Sequence, residues 1–227
     1  MKKNLIAIVL GLFVLTASCG NSSSSNKSNY TKEDIVREVE YTGAIDTATF
    51  AGGCFWCTEA VFERVEGVVN VVSGYSGGTA ENADYRKVSY GLTNHAECVQ
   101  IYYDPGVISY KELVKIFFAT HDPTQLNRQG PDVGEQYRSE VFYRTDKEKE
   151  IVQSHINKLQ NSNTYEKAIV TKVSKLDSFY EAEEYHQDYY ELNPYQGYIL
   201  SVAKPKVKKF FKYFPEYVKE KYRKEKG

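Results

Sequence analysis

A tight glycine turn between a predicted strand and a predicted helix is the feature that most constrains the fold of this chain. Residues 47–51 are predicted to form the strand and residues 55–65 the helix, with Gly52 and Gly53 as the turn between them. Cys54 therefore lies at the point where a strand becomes a helix. A chain built around this unit combines a sheet with packed helices.

The rest of the pattern mixes helices and strands without strict alternation. Further strands are predicted at residues 68–75, 96–103, 139–143 and 168–173, and further helices at residues 110–118, 146–160 and 181–190. Ser109 and Glu112 form a capping box, because each side chain can satisfy a free backbone N–H group at a helix start. Residues 120–138 are polar, and loops of this length are usually functional. We predict an α+β fold, a two-layer α/β sandwich with a mixed sheet.

Composition limits the class of protein. With 227 residues, of which 41% are hydrophobic and 14% aromatic, the chain is long enough to bury one core and belongs among globular proteins. Its formal net charge is -1, whereas non-specific attraction to nucleic acid needs a clear excess of Lys and Arg. Nucleic acid is therefore not the expected partner.

The first 19 residues have the layout of an export signal. Two lysines precede an apolar run at residues 5–15, which is too short to cross a bilayer as a helix. Small residues follow, and the order Leu-Thr-Ala-Ser-Cys at residues 15–19 resembles a bacterial lipoprotein signal. Thr16 departs from that pattern, since Leu is usual three places before the Cys.

This resemblance implies that residues 1–18 are removed as a signal peptide and that Cys19 becomes the lipidated first residue. Residues 19–44 would then form a polar tether and N-terminal extension. We expect an exported, membrane-anchored lipoprotein of the cell envelope, bound to the membrane through its lipid anchor. Ordinary cleavage and release of the protein is the alternative.

Three cysteines remain after Cys19, namely Cys54, Cys57 and Cys98, and an odd count outside the cytoplasm indicates a reactive thiol. The thiolate is the reactive form, and the positive end of the helix dipole is expected to lower the pKa of Cys54. Cys57 is close enough on the same helical turn to meet the Cys54 sulfur. Zinc needs about four ligands, and no second Cys or His pair supplies them, so we expect no metal.

The segment Gly-Gly-Cys-Phe-Trp-Cys at residues 52–57 resembles the active-site signature of the peptide methionine sulfoxide reductase A family, in the subgroup with a Cys after Phe-Trp. Further blocks agree with the family at residues 85–88, 93–97 with 103–105, and 121–139. The resemblance extends from about Phe50 to Val207. It implies a single catalytic domain, which we place at residues 45–203.

The resemblance implies an oxidoreductase that reduces methionine S-sulfoxide, free or in proteins, to methionine. Attack on a sulfoxide needs a soft nucleophile and a proton donor for the departing oxygen, and separate enzymes act on the two sulfoxide epimers. Seven side chains would form the site. Cys54 would be the nucleophile, Glu97 the protonated acid, and Tyr85 and Tyr137 the hydrogen-bonding tyrosines. Asp132 would support the site, and Phe55 and Trp56 would form the aromatic wall around the substrate's methyl group.

After the first step Cys54 would be a sulfenic acid, which condenses with a nearby thiol. Side chains alternate along the predicted strand 96–103, so Cys98 should point away from the face that Glu97 occupies. We therefore expect Cys57 to be the resolving cysteine and Cys98 to be a small core or surface residue. Residues 199–227 contain no Cys, so we expect no C-terminal thiol relay.

The expected partners follow from this resemblance together with the export signal. No cofactor is expected to be bound, and a thioredoxin-like protein is expected to be the electron donor of a monomeric enzyme that repairs oxidised envelope proteins. Two other functions fit parts of the sequence: a thiol-disulfide oxidoreductase of the envelope, and a lipid-anchored module that binds peptides. Neither accounts for the four matching blocks.

Residues 204–227 form a basic aromatic tail, with ten Lys and Arg against three Glu and with several Phe and Tyr. Such a tail would lie on an anionic membrane beside the lipid anchor, or its aromatic side chains would pack on the domain while its lysines stay in water. The histidines in the matching blocks, His95, His121 and His186, are expected to be structural.

Overall fold

The computed structural model describes residues 43–226, and at their centre is a six-stranded mixed sheet. Its strands are β1 Asp46–Gly52, β2 Val68–Ser76, β3 Ala96–Tyr103, β6 Ser139–Tyr143, β7 Lys172–Lys175 and β8 Phe179–Glu181. The order across the sheet is β7-β6-β1-β3-β2-β8, with β6 and β7 parallel and the other neighbours antiparallel. A separate hairpin pairs β4 Arg128–Gln129 with β5 Asp132–Val133. The predicted α+β fold with a mixed sheet is confirmed.

Six α-helices accompany the sheet within the described residues. They are α1 Phe55–Glu63, α2 Tyr85–Ser89, α3 Tyr110–Thr120, α4 Asp146–Asn161, α5 Tyr189–Leu192 and α6 Lys204–Tyr213. A π-helical turn, Ile199–Ala203, leads directly into α6. The predicted capping box starts α3: Ser109 Oγ accepts from the Glu112 N–H at 3.3 Å, and Glu112 Oε2 accepts from the Ser109 N–H at 2.9 Å.

The two faces of the sheet carry different clusters. Phe50 on β1 and Ile101 on β3 belong to the main core, which they share with α1, α3, α4 and α6. Ala51, Cys98 and Phe142 form a smaller apolar cluster on the other face, because successive side chains of a strand point to opposite sides. Odd-numbered residues of β3 therefore face the helices.

Two predicted elements differ clearly from the structure. The strand predicted at residues 168–173 lies at Lys172–Lys175, where it pairs with β6. The helix predicted at residues 181–190 is wrong, because β8, a 3₁₀ turn at Glu184–His186 and the single turn of α5 occupy this stretch. Asp188 has φ 54°, in the left-handed region, which interrupts a right-handed helix.

The C-terminal residues form part of the packed domain. Val207, Phe210 and Phe211 on α6 are buried in the main core, while the lysines of the same helix at positions 204, 208 and 209 are exposed. Val218 is also fully buried and forms an isolated antiparallel bridge with Val65, directly after α1. The division drawn at residue 204 from the sequence therefore does not correspond to a break in the packing.

The predicted signal peptide, the lipidation site Cys19 and nearly all of the predicted tether lie outside the described residues. Between residues 43 and 226, no helix is both long and apolar enough to cross a membrane.

Candidate active site

The glycine turn places Cys54 at the N-cap of α1, between the sheet and the helix. Gly53 has φ 90°, and a Cβ there would lie 2.5 Å from the Cβ of Gln129, so only glycine fits. The Cys57 N–H donates to the carbonyl oxygen of Cys54 at 3.2 Å. Both cysteines are free thiols on one turn, with Cys54 6% and Cys57 0% exposed.

Glu97 reaches the same turn from β3. It is 2% exposed, and its Oε2 accepts a hydrogen bond of 3.1 Å from the N–H of Phe55, one of the free donors at the start of α1. Burial raises the pKa of Glu97 to about 8, against the opposing effect of that hydrogen bond. A largely protonated carboxyl group therefore lies beside Cys54 at neutral pH.

The two thiols share a hydrogen bond and titrate as a pair. Burial, the hydrogen bond with Cys57 and the charge of Glu97 raise the pKa of Cys54 well above its ordinary value. The hydrogen bond from Cys54 lowers the pKa of Cys57 to about 7, although burial opposes it. The pair therefore holds one proton between two sulfurs near neutral pH.

The expectation of a lowered pKa for Cys54 is wrong for this structure. The helix dipole favours a thiolate at this position, but removal of water and a neighbouring carboxylate oppose it. Protonation of Glu97 removes the negative charge that raises the pKa of Cys54. The raised pKa of Glu97 favours this protonated form near neutral pH. A protonated Glu97 thus favours the thiolate form of Cys54, and a thiolate nearby favours the protonated form of Glu97.

Asp132 is connected to the cysteines through Tyr198, a residue to which the sequence gave no role. The Tyr198 hydroxyl donates to Asp132 Oδ2 at 2.6 Å and lies 3.8 Å from the Sγ of Cys57. Burial, with the charges of the cysteines, raises the pKa of Tyr198, so the hydroxyl stays protonated. The available signal in the sequence was the Asn-Pro-Tyr-Gln-Gly-Tyr segment at residues 193–198, which combines turn residues with aromatic ones.

Phe55 and Trp56 form part of a larger aromatic wall. The Trp56 ring stacks on Tyr189 with centroids 3.8 Å apart and planes 8° apart, and meets Tyr198 edge-on at 5.8 Å. The Trp56 Nε1–H donates to His186 Nδ1 at 3.2 Å. Sequence reasoning missed Tyr189 and treated His186 as structural. Nothing in their local sequence distinguishes them, because their contact with Trp56 spans 130 residues or more.

Tyr85 and Tyr137 are half-buried near Glu97 and Cys54. The Tyr85 ring stacks on Phe55 with centroids 6.5 Å apart. Burial, followed by the charge of Glu97, raises the pKa of Tyr85 to about 12 and raises that of Tyr137 as well. Both hydroxyl groups are therefore protonated and able to donate to an oxygen atom in the site.

Cys98 lies apart from these groups, in the small cluster on the far face of the sheet, and burial raises its pKa to about 12. His95 and His121 bind backbone carbonyls of Thr79 and Phe117, at 3.0 and 2.7 Å. Among residues 43–226 there is no group of three or more His, Cys, Asp or Glu side chains arranged to hold a metal ion.

The arrangement suits a two-electron reduction of a neutral, oxygen-bearing group. A pair of thiols can supply two electrons by forming a disulfide, and a protonated carboxyl group such as that of Glu97 can give a proton to a departing oxygen. The tyrosine hydroxyls and the aromatic wall offer hydrogen bonds on one side and apolar contact on the other.

Comparison with known proteins agrees with this chemistry. The family model described as peptide methionine sulfoxide reductase matches residues 46–218. Peptide methionine sulfoxide reductase MsrA 1 of Rhodopirellula baltica is 52% identical over 184 residues, which are 81% of this chain and 95% of that protein. Mxr1 from Saccharomyces cerevisiae in reduced form aligns with TM-score 0.61 and 36% identity over 67% of this chain and 87% of its own. Methionine sulfoxide reductase A of Corynebacterium diphtheriae aligns with TM-score 0.60 and 35% identity over 67% and 76%.

Proposed function

This chain belongs to the peptide methionine sulfoxide reductase family, and on that premise we propose that it reduces methionine S-sulfoxide to methionine with Cys54 as the nucleophile. The observation that supports this most strongly is the meeting of Cys54 with the buried carboxyl group of Glu97 at the start of α1. One group is a soft nucleophile and the other a proton donor, and sulfoxide reduction needs both.

In the first step the Cys54 thiolate takes the oxygen from the sulfoxide. The sulfur–oxygen bond of the sulfoxide breaks, Cys54 becomes a sulfenic acid, and the proton on its oxygen comes from Glu97. The sulfoxide sulfur is reduced and the Cys54 sulfur oxidised by two electrons. Tyr85 and Tyr137 hold the sulfoxide oxygen, and the wall of Phe55 and Trp56 accepts the methyl group.

In the second step the Cys57 thiolate attacks the sulfur of the Cys54 sulfenic acid. A sulfur–sulfur bond forms, the oxygen leaves as hydroxide, and one proton converts it to water. The hydrogen bond between the thiols and their shared helical turn support this pairing. Cys98 lies on the opposite face of the sheet, which favours Cys57 as the resolving thiol. A thioredoxin-like protein then restores both thiols.

The N-terminal sequence supports a setting outside the cytoplasm. With Cys19 lipidated, the enzyme would be tethered at the cell envelope as a monomer and would repair oxidised envelope proteins there. The alternative of a thiol-disulfide oxidoreductase is less well supported, because disulfide exchange requires neither a protonated Glu97 nor the Asp132–Tyr198 pair.

The test is turnover of the two separated methionine sulfoxide epimers with dithiothreitol as reductant. We expect the unmutated protein to reduce the S epimer alone, Cys54→Ser to be inactive, and the matched control Cys98→Ala to retain activity. Reduction of neither epimer by the unmutated protein would contradict the proposal and favour disulfide exchange.

A further inference from the structure

A buried lysine ammonium group lies next to the resolving cysteine. It belongs to Lys206 in the first turn of α6, and its Nζ has no hydrogen-bond partner among the described residues. Burying a cation without a partner costs free energy, so such a placement needs compensation from a nearby negative charge. The roles proposed above for the site residues do not use this group.

The position of Lys206 is defined by a small cavity behind the glycine turn. The cavity is lined by Gly52, Cys57, Thr58, Val61, Phe117, Thr120, His121 and Lys206. A Cβ built on Gly53 would lie 3.8 Å from the Lys206 Nζ, so the ammonium group is held against the turn itself. The helix α6 thus brings its cation to a cavity that Cys57 also lines.

The other groups that face Cys57 give it no positive charge. They are Cys54 on its own helix, Glu97 on β3, Asp132 on β5, Tyr198 before the π-helical turn and His121 after α3. Burial lowers the pKa of His121 to about 4, so its ring is neutral near pH 7. Of these groups and Lys206, the lysine alone is cationic, and its charge contributes to the lowered pKa of Cys57.

We infer that Lys206 is a positioning residue whose ammonium group stabilises the Cys57 thiolate for its attack on Cys54. The inference rests on the proposed function, since the attack is its disulfide-forming step. Cys57 sulfur donates the electron pair that makes the sulfur–sulfur bond and is oxidised, while Cys54 sulfur is reduced as its bond to oxygen breaks. The proton that the Cys57 thiol loses passes to the Glu97 carboxylate left by the first step, and the departing hydroxide takes it from there and leaves as water.

The experiment is a single turnover of the S-sulfoxide without reductant, comparing Lys206→Met and Lys206→Arg with the unmutated protein. Methionine release reports the first step, and loss of free thiols reports the disulfide. In Lys206→Met we expect disulfide formation to be slowed about tenfold at pH 7, more than methionine release, and its pH midpoint to rise by about one unit. Lys206→Arg should keep the rate, because it keeps the charge.

The exposed lysine of the same helix provides a matched control, so Lys208→Met should behave as the unmutated protein. An unchanged rate and pH midpoint of disulfide formation in Lys206→Met would overturn the inference. So would an equal loss of both steps, or a Lys206→Arg variant as slow as Lys206→Met.

A thiolate titration separates this inference from the proposed function. The absorbance near 240 nm is followed from pH 5 to 9 in a Cys54→Ser, Cys98→Ala background, with and without Lys206→Met. We expect the midpoint to rise when the lysine is replaced, whether or not the protein reduces sulfoxides. An unmutated protein that releases no methionine would contradict the proposed function, and an unmoved midpoint would contradict the role of Lys206.

Discussion

The chemistry of single residues in this site depends on where the protons lie. Glu97 is buried and has a pKa of about 8. The neighbouring pair of thiols, Cys54 and Cys57, loses its first proton near pH 7, because the pKa of Cys57 is about 7. Activity as proposed requires the carboxyl group to be protonated and the pair to be singly deprotonated. The sequence motifs predicted Glu97 as a protonated acid but gave Cys54 a lowered pKa, because the burial that raises the pKa of the thiol is a property of the folded chain.

These two titrations predict a bell-shaped pH dependence of kcat/KM. The rate should rise through about pH 7 as the thiol pair loses a proton, and fall through about pH 8 as Glu97 loses its own. Glu97→Gln should lower kcat by roughly 10²- to 10⁴-fold and abolish the falling limb, since an amide cannot donate a proton in this range. A Glu97→Gln enzyme with nearly full activity and an intact falling limb would show that another group is the acid.

At the scale of elements, α1 carries two buried carboxyl groups, Glu59 and Glu63, on the residues that follow Cys57. Glu59 is 1% exposed, and its Oε1 accepts from the Ser73 hydroxyl at 3.0 Å. Burial, then the charge of Asp188, raises its pKa to about 8, and burial raises that of Glu63 well above its usual range. Asp188 directly precedes α5. Its interaction with Glu59 therefore connects α1 to the segment that carries Tyr189 of the aromatic wall.

These carboxyl groups predict that the protein is less stable in alkali. Their folded pKa values are raised above the unfolded ones, so their contribution to stability is present below about pH 4.5 and is lost as pH rises to about 8. Glu59→Gln should match the unmutated protein at pH 5 and exceed its stability by at least about 1 kcal/mol at pH 9.

Urea unfolding at several pH values measures this difference. The exposed Glu150 on α4 offers a control, since Glu150→Gln should not change the pH dependence. The same decline in stability between pH 5 and 9 with and without Glu59→Gln would contradict the assignment.

At the scale of the whole molecule, the site draws on residues from one end of the domain to the other. The local pattern predicted the turn at Cys54, the strand of Glu97 and the mixed sheet, because periodicity and turn residues act over short stretches. It did not predict that Tyr198 and Lys206 come to the same turn. That requires α6 to pack on α1, and the sequence offered packing of the aromatic side chains of residues 204–227 on the domain only as one of two alternatives, without a partner element.

A signal for this packing was present in the sequence. Val207, Phe210, Phe211 and Phe214 follow the i, i+3, i+4, i+7 spacing of an amphipathic helix, which indicates one apolar face against a core. The break at Asp188 gave no comparable signal, because an isolated left-handed residue leaves the side-chain pattern around it unchanged.

The central claim is that Cys54 takes the oxygen and Cys57 resolves the product. The most direct measurement is a peptide map by mass spectrometry after a single turnover of methionine S-sulfoxide without reductant, with Cys57→Ser treated in parallel with a sulfenic-acid trap. The account predicts a disulfide joining Cys54 to Cys57 in the unmutated protein, and a trapped sulfenic acid on Cys54 in Cys57→Ser. A disulfide that includes Cys98, or methionine release with Cys54 still reduced, would contradict it.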